Sequence, residues 1–355
     1  MKCSTGLFGF LPRLRHVLHF RQVNGMSCNF LKDDSLQIFL DALAAFGEVH
    51  GPVLTDDGVP AFARIVSAAD LNLNYRRTLI PPKKYLMPPR EKVLDFSPDR
   101  GYQLPPPPDR NIVLFGLHPC DLAGIAYLDK VFTATIPDPL YLRRRNNLFT
   151  AGLSCEPDEY CFCGEMGTGD PPLFDLFMHR VTEGFLIAAG SRRGELVISG
   201  FSTHLSEHEL PPPARQACDI ERAILDACAR GETFQDSPLW DDFADRCLSC
   251  GACSLCCPTC YCFDVREYGC LDGETAERLR EWDNCLFTEH GMVAGGLNFR
   301  KKRRERFLYR YQHKYLGFGP VSSIVACVGC GRCRAVCPVE IDLIDLFREG
   351  IDEKP

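Results

Sequence analysis

The stretch CLSCGACSLCCP, from Cys247 to Pro258, recurs as CVGCGRCRAVCP from Cys327 to Pro338. Both place cysteines as C-x2-C-x2-C-x3-C with a proline directly after them. These are Cys247, Cys250, Cys253 and Cys257 in the first run, and Cys327, Cys330, Cys333 and Cys337 in the second. Three thiolates at this interval wrap as a tight loop around one face of a metal–sulfide core. Gly251 and Gly331 hold the same place in each copy, where the backbone bends closely and a side chain would intrude. Pro258 and Pro338 end the loop or open a helix at its first turn, where the missing N–H costs nothing, and turn the fourth cysteine away from its own three.

This spacing is the ferredoxin run for [4Fe-4S] clusters, and in two-cluster ferredoxins the fourth cysteine serves the other cluster. The expected sets are therefore Cys247, Cys250, Cys253 and Cys337 for one cluster, and Cys327, Cys330, Cys333 and Cys257 for the other. Structural zinc takes cysteine pairs across a longer spacer and has no use for a third at the same short interval. A disulfide scaffold belongs to short secreted chains. This chain has 355 residues, enough for two or three domains with cores of their own.

The 21 cysteines are odd in number and far above ordinary usage. Leu7, Phe8, Phe10 and Leu11 are interrupted by Arg13, Arg15 and Arg21 before a signal-peptide core can form. A reducing cytoplasm with oxygen-sensitive, metal-bound thiolates is expected. Met26 begins a more domain-like stretch, so the residues before it read as an extension ahead of the true start or as a short amphipathic docking segment. No apolar run approaches the roughly 18 uncharged residues that span a bilayer, so no direct membrane insertion is expected. The formal net charge of -7 argues against a nucleic-acid binder. The basic run FRKKRRERF, Phe299 to Phe307, reads as a solvated helical face or, alternatively, as a docking surface or a positive shell around the clusters.

Ser35 is a suitable N-cap for a helix carrying Leu36, Phe39, Leu40, Leu43 and Phe46, with Gly47 as its stop. Short strands are expected at Val49 to Leu54 and Ala61 to Val66. PPKKYLMPPR, from Pro81 to Arg90, reads as an extended arm over a surface, with Lys83 and Lys84 solvated or, alternatively, holding an anion or a partner. After the prolines at Pro105 to Pro108, Ile112 to Phe115 form a buried strand. Asp121 then opens a helix with Leu122, Ile125, Leu128 and Val131 or Phe132 on its apolar face. The loop between them, His118, Pro119 and Cys120, lies where ligands gather in α/β domains. Further apolar strands are expected at Leu148 to Leu153 and Gly184 to Ala189. Pro211 to Pro213 mark a linker, and Arg215 to Ala229 an amphipathic helix.

Cys155, Cys161 and Cys163 lie in a loop rich in Gly and Pro, where buried structural cysteines are least expected. With Cys120 they make four thiolates in one domain. They read as a candidate third cluster, with Asp121 as an alternative oxygen ligand, or as unligated thiols in a tight turn. Cys256, Cys260, Cys262, Cys270 and Cys285, with Cys3, Cys28, Cys218 and Cys228, are expected mostly as small core residues. Cys260 and Cys262 are placed against a cluster without ligating it.

The expected architecture is α+β. A 1–34 extension precedes a 35–210 mixed α/β domain, and 211–355 form a mainly α-helical two-cluster ferredoxin domain, the long spacer between the runs favouring helices around the irons. HPCDLAGIAYLDKVF, the CFCGEMGTG loop, CLSCGACSLCCPTCYCFDV, WDNCLFTEHG with AGGLNFR, and CVGCGRCRAVCPVEIDL together resemble the beta subunit of cytoplasmic sulfhydrogenases and related NAD(P)-linked nickel–iron hydrogenases, and equally the A subunit of anaerobic sulfite reductase. The resemblance runs from about residue 35 to the end. It implies an electron-carrying subunit beside a flavin subunit of the ferredoxin-NAD(P) reductase type, passing electrons to a hydrogenase, sulfite reductase or heterodisulfide reductase partner, with two [4Fe-4S] clusters on the eight cysteines of the runs. Two other readings remain open: a reductive catalytic cluster in the N-terminal domain, and an assembly scaffold between redox subunits. Where family members commonly have Arg-Pro-Cys-Asp, this chain has His118 to Asp121, which removes a charge from that loop.

Overall fold

The computed structural model describes residues 27–106, 110–209, 239–317, 324–342 and 344. The 1–26 segment, the triple-proline linker, the helix expected over Arg215 to Ala229, and Cys3, Cys218 and Cys228 lie outside them. The first sheet has eight strands in the order β10-β1-β9-β8-β7-β6-β2-β3. These are β1 (Ser27–Lys32), β2 (Glu48–Leu54), β3 (Pro60–Arg64), β6 (Ile112–Leu117), β7 (Leu148–Leu153), β8 (Leu176–Val181), β9 (Gly184–Ala189) and β10 (Ser206–Glu209). The four central strands β2, β6, β7 and β8 run parallel, and antiparallel pairs flank them on both sides.

Buried strands of a parallel sheet face a core on both sides, so they read as apolar runs rather than as alternation. On β6, Val113 and Phe115 enter one core with α1 (Leu36–Ala44) and α4 (Arg192–Gly200), while Leu114 enters the other with α2 (Pro119–Thr133) and α3 (Pro139–Asn146). Gly116, at φ 81°, shifts the ladder by one residue, so Leu117 returns to the side of Leu114. The chain then enters α2 at the carboxyl end of the sheet, with Pro119 in its first turn and His118 as its N-cap. Ser35 does cap α1 by position, but its hydroxyl donates to Asp34 instead of serving the helix.

The residues assigned from sequence to the end of a 1–34 extension are strand β1, inserted between β9 and β10. Cys28 and Leu31, three apart, are both fully buried, so the strand carries no period-two signal. β8 likewise has no counterpart among the strands expected from sequence.

A second, four-stranded antiparallel sheet has the order β11-β12-β4-β5, made of β4 (Arg90–Ser97), β5 (Gly101–Gln103), β11 (Phe263–Gly269) and β12 (Ala276–Trp282). Its hairpin β11–β12 lies in the spacer between the two cysteine runs. The spacer is thus part strand and part helix, α7 (Arg303–Leu316), which packs on α5 (Leu239–Arg246). The α+β class stands, with a C-terminal part that is helical around the cysteine runs and stranded where it meets the N-terminal domain.

That junction holds a buried charge cluster. The Glu91 carboxylate accepts from Arg280 and from Arg144, and Arg280 also reaches Asp138 at 2.5 Å. Asp138 in turn accepts from the Leu140 and Tyr141 amides at 2.9 Å, capping α3. The lysines of the arm at Pro81 to Arg90 are not solvated as expected. Pro82–Tyr85 form a 3-10 turn, and Lys83 is buried, donating to the Cys260 carbonyl at 2.9 Å with its ammonium 4.3 Å from the Trp282 ring centre. Lys84 donates to the Phe62 carbonyl at 2.7 Å. Each lysine satisfies a backbone carbonyl, which no sequence pattern announces. No described helix is long and apolar enough to cross a membrane.

Candidate metal centre

The two runs fold alike. Gly251 and Gly331 take φ of 77° and 69° and open the one-turn helices α6 (Ala252–Leu255) and α8 (Arg332–Ala335), which contact each other. The same amide pattern closes both, from Ser254, Leu255, Cys256 and Cys257 in one and from Arg334, Ala335, Val336 and Cys337 in the other. Two residues after the first cysteine, Ser249 and Gly329 both have positive φ, 54° and 63°. This turns the Ser249 amide onto Cys247 Sγ at 3.4 Å, and the Gly329 amide likewise bonds to the Cys327 thiol, acting against the burial that raises it. A side chain at Gly251 would fall 2.2 Å from Asn284 Nδ2, and one at Gly331 2.5 Å from the Tyr160 carbonyl. The glycines therefore make room for neighbouring protein, which anchors the loops. Asn284 donates to the Gly251 carbonyl at 2.7 Å.

All eight cysteines of the runs line one cavity. Its apolar wall includes Phe162, Leu286, Phe307, Tyr311, Tyr315 and Ile341, and its charged wall Arg310, Lys314 and Arg334, the last paired with Asp342 at 2.5 Å. The basic run divides by helical phase. Arg303 and Arg304 face out to Asp245 and Asp241, whereas Arg306, Arg310 and Lys314, four apart, face in. Arg306 is held by the Leu286 and Lys301 carbonyls at 2.9 and 2.7 Å. Arg310 donates to the Cys253 carbonyl at 2.6 Å and to Ser254 Oγ, and Lys314 to Thr259 Oγ1 at 2.6 Å.

Burial pushes the Cys253 thiol up to about 11 and the Cys327 thiol up to about 12. Burial also acts to raise Cys257, but Lys314 and Arg310 outweigh it and bring that thiol down to about 7. Cys257 is electrostatically coupled to Cys327 and Cys330 of the other run. Replacing Arg310 by Met removes the inward cation. At an effective dielectric of about 20, a unit charge a few ångströms from a buried site is worth on the order of 1–4 kcal/mol. The expected outcome is a reduction potential lower by tens of millivolts or more, read by EPR-monitored redox titration.

The CFCG loop lies along the second run. The Phe162 amide donates to the Gly329 carbonyl at 2.9 Å, Thr168 Oγ1 to the Val328 carbonyl at 2.7 Å, and Cys161 Sγ lies 3.8 Å from the Cys330 carbonyl oxygen. Cys155 is electrostatically coupled to Cys161 and Cys163, and Cys120 to Cys155 and Cys330. Asp121 faces Arg332 at 2.9 Å, both fully buried, and Arg332 Nε donates to the Thr78 carbonyl. Burial raises the Asp121 carboxyl despite that arginine. Arg77 pairs with Asp158 and lies 4.0 Å from Cys161 Sγ. His118 stacks on Tyr75 with ring centres 4.0 Å apart, and burial brings it down to about 3. The loop therefore carries no charge at His118 near neutral pH.

All 18 cysteines of the described residues are free thiols. Cys28 and Cys256 are buried and Cys270 is exposed. Cys260, Cys262 and Cys285, expected as packing residues, lie together beside Lys314. Sequence reasoning also missed Lys83, Arg310, Asn284 and Arg332, whose partners are brought together only by the fold.

Two comparisons bear on the site. Residues 246–341 match the 4Fe-4S dicluster domain family. Across 331 residues, 88% of this chain and 96% of the relative, the sequence is 37% identical to sulfhydrogenase 2 subunit beta of Pyrococcus furiosus.

Proposed function

The chain belongs to the sulfhydrogenase beta-subunit family, and from that premise we propose that it is the electron-relay subunit of a cytoplasmic multi-subunit oxidoreductase. Its partners would be a flavin-bearing, NAD(P)H-linked reductase subunit and a hydrogenase, sulfite reductase or heterodisulfide reductase subunit. The observation that carries this reading is the single cavity lined by all eight cysteines of a 4Fe-4S dicluster domain. The residues fit the group. Free thiols supply iron ligands, inward cations offset the charge of thiolates, and apolar rings exclude water. Cys247, Cys250, Cys253 and Cys337 would hold one [4Fe-4S] cluster and Cys327, Cys330, Cys333 and Cys257 the other. Such clusters supply one-electron chemistry at potentials set by burial, charge and hydrogen bonds to sulfur. In this chain those settings come from Arg310, Lys314 and the amides of Ser249 and Ile341, which donate to Cys247 and Cys337 Sγ at 3.4 Å.

A third [4Fe-4S] cluster at Cys120, Cys155, Cys161 and Cys163, with Asp121 as the alternative ligand, is supported by a specific observation. The buried Asp121 carboxylate meets Arg332 at 2.9 Å, but Asp121 Oδ2, Arg332 Nη1 and Arg77 Nη1 find no hydrogen-bond partner among the described residues, an arrangement that costs about 1–3 kcal/mol per group unless something else occupies the space. Anaerobic purification with iron counting and EPR tests the assignment. A Cys120→Ala, Cys155→Ala double variant is expected to lose about four irons relative to its parent. Equal iron contents would leave those cysteines as plain thiols. Partner identity is read by affinity purification of the full complex, and recovery of a catalytically competent lone chain would overturn the relay reading.

A further inference from the structure

Cys260, Cys262 and Cys285 belong neither to the runs nor to the CFCG loop, and they lie together. The β11–β12 ladder runs on past its last pair, Phe263 with Trp282, to a bond from the Asp283 amide to the Cys262 carbonyl at 3.1 Å. The chain then turns at Asn284, whose side chain accepts from the Leu286 amide at 3.0 Å, and this sets Cys285 beside Cys262. The Cys262 thiol is in hydrogen-bonding contact with both Cys260 and Cys285. Cys260 and Cys285 are buried, while Cys262 keeps partial exposure. The three thiols border a space of about one water molecule.

That space is too small for a metal–sulfide core, and the imidazole on its wall is taken, since His313 Nε2 lies 2.6 Å from the Tyr261 hydroxyl. The chemistry left to the thiols is their own. Cysteines that serve as small core residues sit among apolar groups. These three face Arg310 and Lys314, and a third cation, Lys83, is tied to the Cys260 carbonyl at 2.9 Å. The hydrogen bond from Cys262, helped by the Arg310 charge, holds the Cys285 thiol below its ordinary value. A thiolate beside fixed cations is the form of cysteine that reacts with oxidants. A bridge inside the C-x-C step would close a strained ring across Tyr261 alone, whereas Cys285 comes from a separate segment and carries no such constraint.

We infer that Cys262 and Cys285 form a redox-active dithiol that intercepts hydrogen peroxide at the edge of the cluster cavity. Only an oxidant little larger than water reaches the buried sulfurs, which shuts out bulky disulfides and flavins. The Cys285 thiolate attacks one peroxide oxygen, the O–O bond breaks, and the departing hydroxide takes up the proton that the thiol gave up. The Cys262 sulfur then attacks the resulting sulfenic acid, which forms the S–S bond and releases a second water. Two thiols are oxidised by two electrons in all, and one peroxide is reduced to two waters. Arg310 and Lys314 line both this space and the eight-cysteine cavity, so the dithiol stands on the wall of the groups it would spare.

Anaerobic full-length protein is given a single equivalent of hydrogen peroxide, alkylated and mapped by mass spectrometry, with iron counted in parallel. A bridge between Cys262 and Cys285 is expected in most chains, with iron unchanged and both thiols restored by a phosphine reductant. Iron released while the two thiols remain open to alkylation, or a bridge between other cysteines in its place, overturns the inference. Under excess peroxide, Cys262→Ser is expected to release iron several-fold faster than the wild type and than Cys270→Ser, a control at an exposed position. Equal rates overturn the protective role. The mapping uses the wild-type chain, so it decides even where the serine variant does not fold. Protein that holds no iron would sink the relay reading, and the bridge mapping would still decide this one.

Discussion

Cys257→Ser is expected to abolish the same EPR signal as Cys330→Ser, and Cys337→Ser the same signal as Cys250→Ser, each variant losing about four irons. Under this pairing the fourth cysteine of each run closes the cluster of the other. Cys257 leaves α6 next to Pro258 and is electrostatically coupled to Cys327 and Cys330 of the second run. It is also the thiol that Lys314 and Arg310 bring down to about 7, whereas burial pushes Cys253 and Cys327 up, so it loses its proton to a metal more readily than those two. If Cys257→Ser instead removed the Cys250 signal, each run would hold its own cluster and the pairing would be wrong. Serine is the right probe because it keeps the Thr259 neighbourhood, where Cys257 Sγ lies 3.3 Å from Oγ1, close to its native size.

Glu91→Gln is expected to destabilise the protein by about 3–5 kcal/mol, as breaking a buried ion pair from one side generally does. The Glu91 side chain is 2% exposed, and its carboxylate is met by Arg280 from β12 and Arg144 from α3. Removing the negative charge leaves Arg280, itself 7% exposed, with Asp138 alone, and Asp138 is already committed to capping α3. The damage therefore spreads from one pair to the junction between the two sheets. A guanidinium chloride melt of the anaerobic protein, followed by circular dichroism and by cluster absorbance, measures it. Both probes should shift to lower denaturant, whereas an unchanged midpoint would mean that water replaces the carboxylate at no cost.

Much of this molecule is legible in the sequence where the cause is local. The cysteine runs need only their own spacing, and the eight thiols do line one cavity. The strands at 112–117, 148–153 and 184–189 show as apolar runs because they are buried on both faces. What failed has its cause elsewhere in the chain. Lys83 looks solvated until Cys260 and Trp282 are placed beside it. β1 looks like the end of an extension because its partners, β9 and β10, lie far along the sequence, and the hairpin β11–β12 looks helical because nothing near it announces β4. Arg280 carries no local signal, because its carboxylates come from residues 91 and 138.

The pairing of β4 with β12 also orders events during synthesis. β4 and β5 are made with the N-terminal domain, which folds first as the chain emerges. The other partner of β4, β12, is translated only at residues 276–282. Until then β4 presents an open hydrogen-bonding edge, the kind of surface that invites pairing with another chain. Contacts this distant in sequence are slow to form, so the interval between the two strands is the period in which a newly made chain is most exposed to aggregation.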